Sequence, residues 1–196
     1  MIETIFMGMM ATIFGIVFAI PISFFAARNL MFGSPATMAI YYITRTFLNI
    51  IRSIEALIWG IIAVTVVGLG PFAGILALLI HSIAALGKLY SESIESIDPG
   101  PIEAIQATGA TQLQMIMYAV VPQMIPSFVS FSIYRWDINV RMSTIIGMVG
   151  GGGIGLLLSQ YMKLLQWRPA GVCVWFIAIT VAILDYVSAD IRQRFV

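Results

Sequence analysis

The stretch Asp98-Pro99-Gly100-Pro101-Ile102-Glu103-Ala104-Ile105, followed by Gly109, by Thr111 with Gln114, and by Pro122, decides how this chain is read. Proline cannot continue a helix, so Asp98-Pro99-Gly100-Pro101 is expected to stop one. Pro101 then suits the first position of a new helix, predicted over Pro101 to about Thr108. Gly109 suits the left-handed residue just past its end. Thr111 and Gln114 have the spacing of a capping box that starts another helix, and Pro122 marks the start of an apolar run. A helix, a sharp glycine turn and a second helix are thus specified over about residues 96–122. A protein that only sits in a bilayer has no need of such an ordered connection; one that takes mechanical work from a soluble partner does. An ordinary amphipathic connector is the competing account.

On both sides of this loop the chain is strongly apolar. Its 196 residues are 60% hydrophobic and 10% charged, with a mean hydropathy of +1.00. Soluble domains are about 25% charged, and so short and apolar a chain could not cover its core with polar surface. The formal net charge of +1 gives no sign of a nucleic-acid partner. The single cysteine, Cys173, excludes an internal disulfide and supplies no metal-ligand cluster. Met1-Ile2-Glu3 has no basic n-region, so no cleaved leader is expected.

A helix needs roughly 20 apolar residues to cross the hydrocarbon. Five runs qualify: about Thr4 to Ala27, Ala36 to Val67, Pro71 to Ser93, Gln123 to Val149 and Pro169 to Ile191. The second is longer than a span requires and must tilt, kink or project. Five spans in one domain put the termini on opposite sides. Arg28, Arg192 and Arg194 fall on the side of the Glu103 loop, and Lys163 and Arg168 on the other, a weak positive-inside signal.

The loop resembles the EAA loop of bacterial ABC importer permeases, roughly E-A-A, three residues, G, nine residues, I-x-L-P. Glu103, Ala104, Gly109 and Pro122 fit it, whereas Ile105, Ala119 and Val121 depart from it with apolar replacements. Gly68-Leu69-Gly70-Pro71-Phe72-Ala73-Gly74, Tyr134-Arg135-Trp136-Asp137-Ile138-Asn139-Val140-Arg141 and Gly147-Met148-Val149-Gly150-Gly151-Gly152-Gly153-Ile154-Gly155 are similar to the permease subunit of phosphonate importers. That likeness covers almost the whole chain. Such permeases usually carry a further N-terminal helix, and this chain begins within what would be the next one.

The resemblance implies an all-α integral membrane protein of about five transmembrane helices with the type I (MetI-like) permease fold. It implies a multi-pass subunit of the bacterial inner membrane, N-terminus outside and C-terminus and Glu103 loop cytoplasmic. It implies partners: a second copy of the chain, an ABC ATPase dimer that meets Glu103 and binds the ATP and magnesium, an extracytoplasmic binding protein, and membrane lipid. The chain has no Walker motif, so it is expected to hydrolyse nothing alone and to hold no cofactor. The implied cargo is a phosphonate or related phosphorus oxyanion, moved by alternating access. A permease for another small solute, such as an amino acid, and a proton-coupled carrier using His81, Asp137 and Glu55 are the alternatives.

Ionisable groups within a span cost several kcal/mol unless paired or facing water. Asp137 and Arg141 are four residues apart on one helical face, the spacing of a structural ion pair. Arg135 points roughly opposite, toward Ile138, Asn139 and Met142, with no partner on its own helix. It needs a carboxylate on another helix, a water-filled path or an anionic cargo, whose oxygens a guanidinium fork matches. Arg45, Asn49 and Arg52 share a face of the second run; Arg45 is placed to snorkel, and Arg52 either pairs with Glu55 or lines the cargo path. His81 lies mid-span, as a hydrogen-bonded residue or a member of that path, with Lys88 seven residues on and in reach of Glu92. Gly150, Gly152 and Gly155 match GxGxxG, but with no preceding strand and no phosphate-loop lysine they are read as a sharp turn. An outer interfacial helix is expected over about Ile154 to Gln166.

Overall fold

The computed structural model describes residues 1–31 and 34–193. In chain order the helices are α1 (Ile2–Phe25), α2 (Arg28–Met31), α3 (Pro35–Ser53), α4 (Ala56–Val67), α5 (Pro71–Glu95), α6 (Pro99–Ala107), α7 (Gln112–Met115), α8 (Val121–Ile146), α9 (Gly153–Lys163) and α10 (Trp167–Gln193). Four helical runs are long and apolar enough to cross a membrane: α1, α5, α10 and the continuous run Gln112–Gly151 that contains α7 and α8.

The second apolar run is divided. α3 and α4 meet at an 88° bend and qualify as a crossing only as a pair. Ile54 between them is extended (φ −90°, ψ 123°), and Glu55 stands at the N-terminus of α4. α3 is amphipathic: Ile43, Phe47 and Ile50 are exposed along one stripe, and Arg45, Asn49 and Arg52 repeat the same spacing on another.

The centre is built by α1, α5 and α8, which pack on one another along their lengths. Small residues allow the approach. A β-carbon on Gly8 would lie 2.8 Å from Val140 Cγ2, and one on Gly15 would lie 3.0 Å from Ser82 Cβ. Toward the Glu103 loop, Tyr90 on α5 stacks on Phe128 of α8 at 3.9 Å, and its hydroxyl meets Ser132 at 2.6 Å. α10 lies on the outside against α8 and α9, with Val172, Trp175, Phe176, Ile179 and Ile183 exposed.

The glycine run 147–155 turns α8 into α9. Gly150, Gly152 and Gly153 have φ of 107°, 83° and 70°, a region costly for other residues. The turn is tied to two neighbours at the same end: Gly70 N–H donates to Gly150 O at 2.9 Å, and Ile154 N–H to Thr4 Oγ1 at 2.9 Å. A β-carbon on Gly147 would lie 3.0 Å from Gly155 Cα, and one on Gly155 would fall on the Thr144 carbonyl oxygen. Gly155→Ala should therefore destabilise the protein by about 1–3 kcal/mol. Gly171→Ala should not, because nothing lies within 4 Å of a β-carbon there. Thermal melts of the two purified variants check this, and equal melting temperatures would contradict the crowding argument.

Candidate functional site

The loop that follows α5 is built largely from local rules. Asp98 caps α6 by accepting from Gly100 N–H at 2.9 Å. The helix starts at Pro99, not at Pro101 as predicted. The first-turn N–H groups of a helix have no intrahelical partner, so Pro99 and Pro101 both fit there without losing a bond. α6 ends at Ala107 with Thr108 as its C-cap, and Gly109 (φ 79°) reverses the chain with its N–H donating to Gln106 O at 3.0 Å. Thr111 and Gln114 form the reciprocal capping box, Thr111 N–H donating to Gln114 Oε1 at 2.9 Å.

Pro122 does not open a separate helix. Gln112–Gly151 is one helical run, and Ile116–Val120 within it is π-helical, with Val121 N–H donating to Ile116 O. Proline donates nothing and crowds the preceding turn, and widening that turn is a physical way to keep the helix continuous. Gln123 Nε2 donates to Ala119 O at 2.9 Å, satisfying a carbonyl at the widened turn.

The loop docks on the bundle through Ile102, Ile105 and Met115, which pack with Ala27, Leu30, Ile94, Val120 and Met124. Glu103 and Ala104 face outward, and Glu103 makes no ion pair among the described residues. Leu113, Met117 and Tyr118, after the Gly109 turn, are exposed too. A cleft of about 440 Å³ runs along Ile105, Thr108, Gly109, Ala110, Gln114 and Tyr118. Sequence reasoning did not single out this apolar patch, although Leu113 and Met117 stand four residues apart, on one helix face.

Within the bundle, Arg135 is 6% exposed, and its Nε donates to Ser82 Oγ on α5 at 3.1 Å. Asn139, one turn on, donates to the same Ser82 oxygen and to Thr12 Oγ1 on α1, both at 2.8 Å. The three central helices are thus joined through Arg135, Ser82, Asn139 and Thr12. No carboxylate pairs with Arg135 among the described residues, and its Nη2 is buried without a partner. His81, next to Ser82, likewise has a buried Nδ1 without a partner.

Arg141 is bonded both to Asp137 on its own helix and to Asp185 on α10. The second carboxylate was not foreseen, because the spacing argument sees only one helix. Arg45, placed by its spacing to snorkel, is held by Glu95 at 2.6 Å and lies 3.9 Å from Glu92. One further expectation is corrected. Arg52 makes no ion pair with Glu55 among the described residues, since the chain leaves the helix at Ile54 between them. Lys88 reaches Glu92 at 3.8 Å and donates to Asn49 Oδ1 at 2.7 Å. No hydrogen bond links His81, Asp137 and Glu55 among the described residues, so the relay that a proton-coupled carrier would use is not assembled. Arg194, counted in the charge balance, lies outside the described residues.

The whole arrangement has known counterparts. A chain of the inward-facing MetNI methionine ABC transporter superposes with a TM-score of 0.82 at 24% identity, covering 99% of this chain and 93% of that one, which establishes the type I importer fold. The phosphite transport system permease protein of Stutzerimonas stutzeri is 39% identical over 195 residues, covering 100% of this chain and 70% of its own length. The phosphate-import permease protein of Mycolicibacterium smegmatis is 40% identical over 194 residues, 99% of this chain but 36% of the longer protein. Residues 19–196 match the binding-protein-dependent transport system inner membrane component family. With that match running from inside the first helix through the loop to the last span, this chain belongs to the family of inner membrane permease subunits of binding-protein-dependent ABC importers.

Proposed function

We propose that this permease carries a phosphorus oxyanion of the phosphite, phosphonate or phosphate type. A second copy of the chain supplies the other half of the path. An ATPase dimer binds ATP and magnesium and moves the Glu103 loops, and a binding protein delivers cargo at the far end. The chain itself hydrolyses nothing. The observation that carries the cargo reading is Arg135, a buried guanidinium with an unpartnered nitrogen and no carboxylate partner among the described residues, in a chain similar along its length to a phosphite permease. A buried cation without a counter-ion is costly and suits a site whose counter-ion arrives with the cargo. In cells that also make the ATPase and the binding protein, phosphite uptake should stop when the ATPase is inactivated. Uptake that survives ATPase loss but not an uncoupler would overturn this reading in favour of a proton-driven carrier.

The same reading sets the orientation: N-terminus and α9 outside, Glu103 loop and C-terminus cytoplasmic. Ser34, Gln112 and Gln166 are all exposed positions. Single cysteines at Ser34 and Gln112 in a Cys173→Ala background should be shielded from an impermeant thiol reagent in intact cells, and one at Gln166 should be labelled. Labelling at Gln112 with protection at Gln166 would invert the assignment.

A further inference from the structure

Lys88 on α5 lies seven residues before the end of that helix, about 10 Å from it at 1.5 Å per residue. At that level Asn49, Arg52 and Ser53 of α3 and Lys88 line an open cleft of about 450 Å³, a volume within the range of small-ligand sites. No carboxylate lines it. The nearby acids are already engaged: Glu95 holds Arg45 at 2.6 Å, and Glu92 stands 3.8 Å from Lys88 and 3.9 Å from Arg45. Arg52 is left uncompensated, with no hydrogen bond or ion pair among the described residues.

The donors are countable. A guanidinium offers five N–H groups, and the Lys88 ammonium has spent one on Asn49 Oδ1 at 2.7 Å. That bond turns the Asn49 amide so that Oδ1 is occupied and its NH₂ remains a donor. Ser53 adds no donor, because its hydroxyl donates to Asn49 O at 2.8 Å. The side of α3 that suits lipid is the stripe Ile43, Phe47 and Ile50. The stripe with Asn49 and Arg52 therefore faces water or a polar ligand, since charges in a span are seldom left to hydrocarbon.

We infer that this cleft binds a tetrahedral phosphorus oxyanion, with Arg52 as a bidentate donor and Lys88 as the second charge, on the side of the bundle toward the Glu103 loop. The inference rests on the cargo reading above. It places a second anion contact beyond Arg135, at which the cargo pauses before release. An anionic lipid headgroup offers the same phosphate chemistry at this depth, so the test separates the two sources.

The permease is purified with its ATPase and binding protein and reconstituted in phosphatidylcholine vesicles, with or without phosphatidylglycerol. Arg52→Gln and Lys88→Gln should each lower phosphite uptake about tenfold or more in both mixtures, and Arg52→Lys should lose less. Melting temperature should hold for Arg52→Gln, because Arg52 has no hydrogen bond or ion pair to lose among the described residues; Lys88→Gln gives up the exposed contact with Glu92 at 3.8 Å, so its melting temperature should fall only slightly. If uptake in phosphatidylcholine is unchanged while the variants co-purify with less phosphatidylglycerol, the cleft is an oxyanion site occupied by lipid. If neither uptake nor lipid retention changes, the inference fails. If the wild-type complex carries no phosphite at all, the cargo reading falls, and lipid retention alone decides the cleft.

Discussion

Gly109→Val is expected to abolish uptake while the chain still inserts into the membrane. Gly109 sits at φ 79° between two capped helices, and a β-carbon there would meet nothing within 4 Å. The penalty is therefore in the backbone alone: a β-branched residue at positive φ is a steric outlier, costing at least about 1–2 kcal/mol. The turn would relax toward negative φ, changing the angle between α6, which carries Glu103, and the helical run that carries the exposed Leu113, Met117 and Tyr118. Asparagine tolerates the left-handed region, so Gly109→Asn should retain most of the uptake. Glu103→Lys reaches the same end differently. It reverses a charge that has no partner within the described residues, so folding should be untouched and ATPase association lost. Co-purification of the ATPase and uptake by intact cells measure both. Normal transport by Gly109→Val would reduce the loop to a passive connector.

What was legible in the sequence was what local chemistry fixes. The loop's capping box and its left-handed glycine follow from residue type over four or five positions, and the structure has them at Gly109, Thr111 and Gln114; the cap at Asp98 was not foreseen, because the helix was expected to start at Pro101. The apolar runs gave the long helices because burial in lipid needs only length and composition. A kink was one of the ways the overlong second run could be accommodated, but its position, the 88° break at Ile54–Glu55, was invisible because neither proline nor glycine marks it. That one break also undid the expected Arg52–Glu55 pair, since three-residue spacing brings side chains together only if the helix continues. The widened turn before Pro122 escaped for the opposite reason: proline is normally a boundary, and here the preceding π-turn absorbs it.

The polar sites were half legible. Arg135 and Asn139 could be placed on one face by helical periodicity, and the structure joins them through Ser82. Serine and threonine are ordinary in apolar helices, so nothing in the sequence distinguished Ser82 or Thr12 as the partners. Asp185 and Glu95 bind Arg141 and Arg45 across 44 and 50 residues of chain, which no spacing rule reaches. In each case the cation was found and its long-range partner was not. Arg135 and Arg52, which have no carboxylate partner among the described residues, stand out only after these pairings are known.

Arg135→Met separates a transport role from a structural one by the sign of its effect on stability. Methionine keeps an apolar body of similar reach and removes the charge. If Arg135 were half of a buried ion pair, its loss would strand the other charge and cost about 3–5 kcal/mol. No such partner is present among the described residues, and Ser82 keeps Asn139 as a hydrogen-bond partner when Arg135 is gone. What is removed is an incompletely satisfied buried charge, so the melting temperature of Arg135→Met should rise or hold. Uptake should move the other way. Loss of one charge-assisted contact to the anion is worth about 1.5–3 kcal/mol, a fall of about ten- to a hundredfold. In this conformation the guanidinium is sealed among the central helices, so the contact forms only as the helices rock apart. Arg135→Lys keeps the charge but not the planar fork, and should fall between the two. Uptake and thermal melting on the same purified complexes give the answer. A lower melting temperature with a parallel loss of uptake would assign Arg135 to the scaffold, and a stable complex with undiminished uptake would remove it from the path.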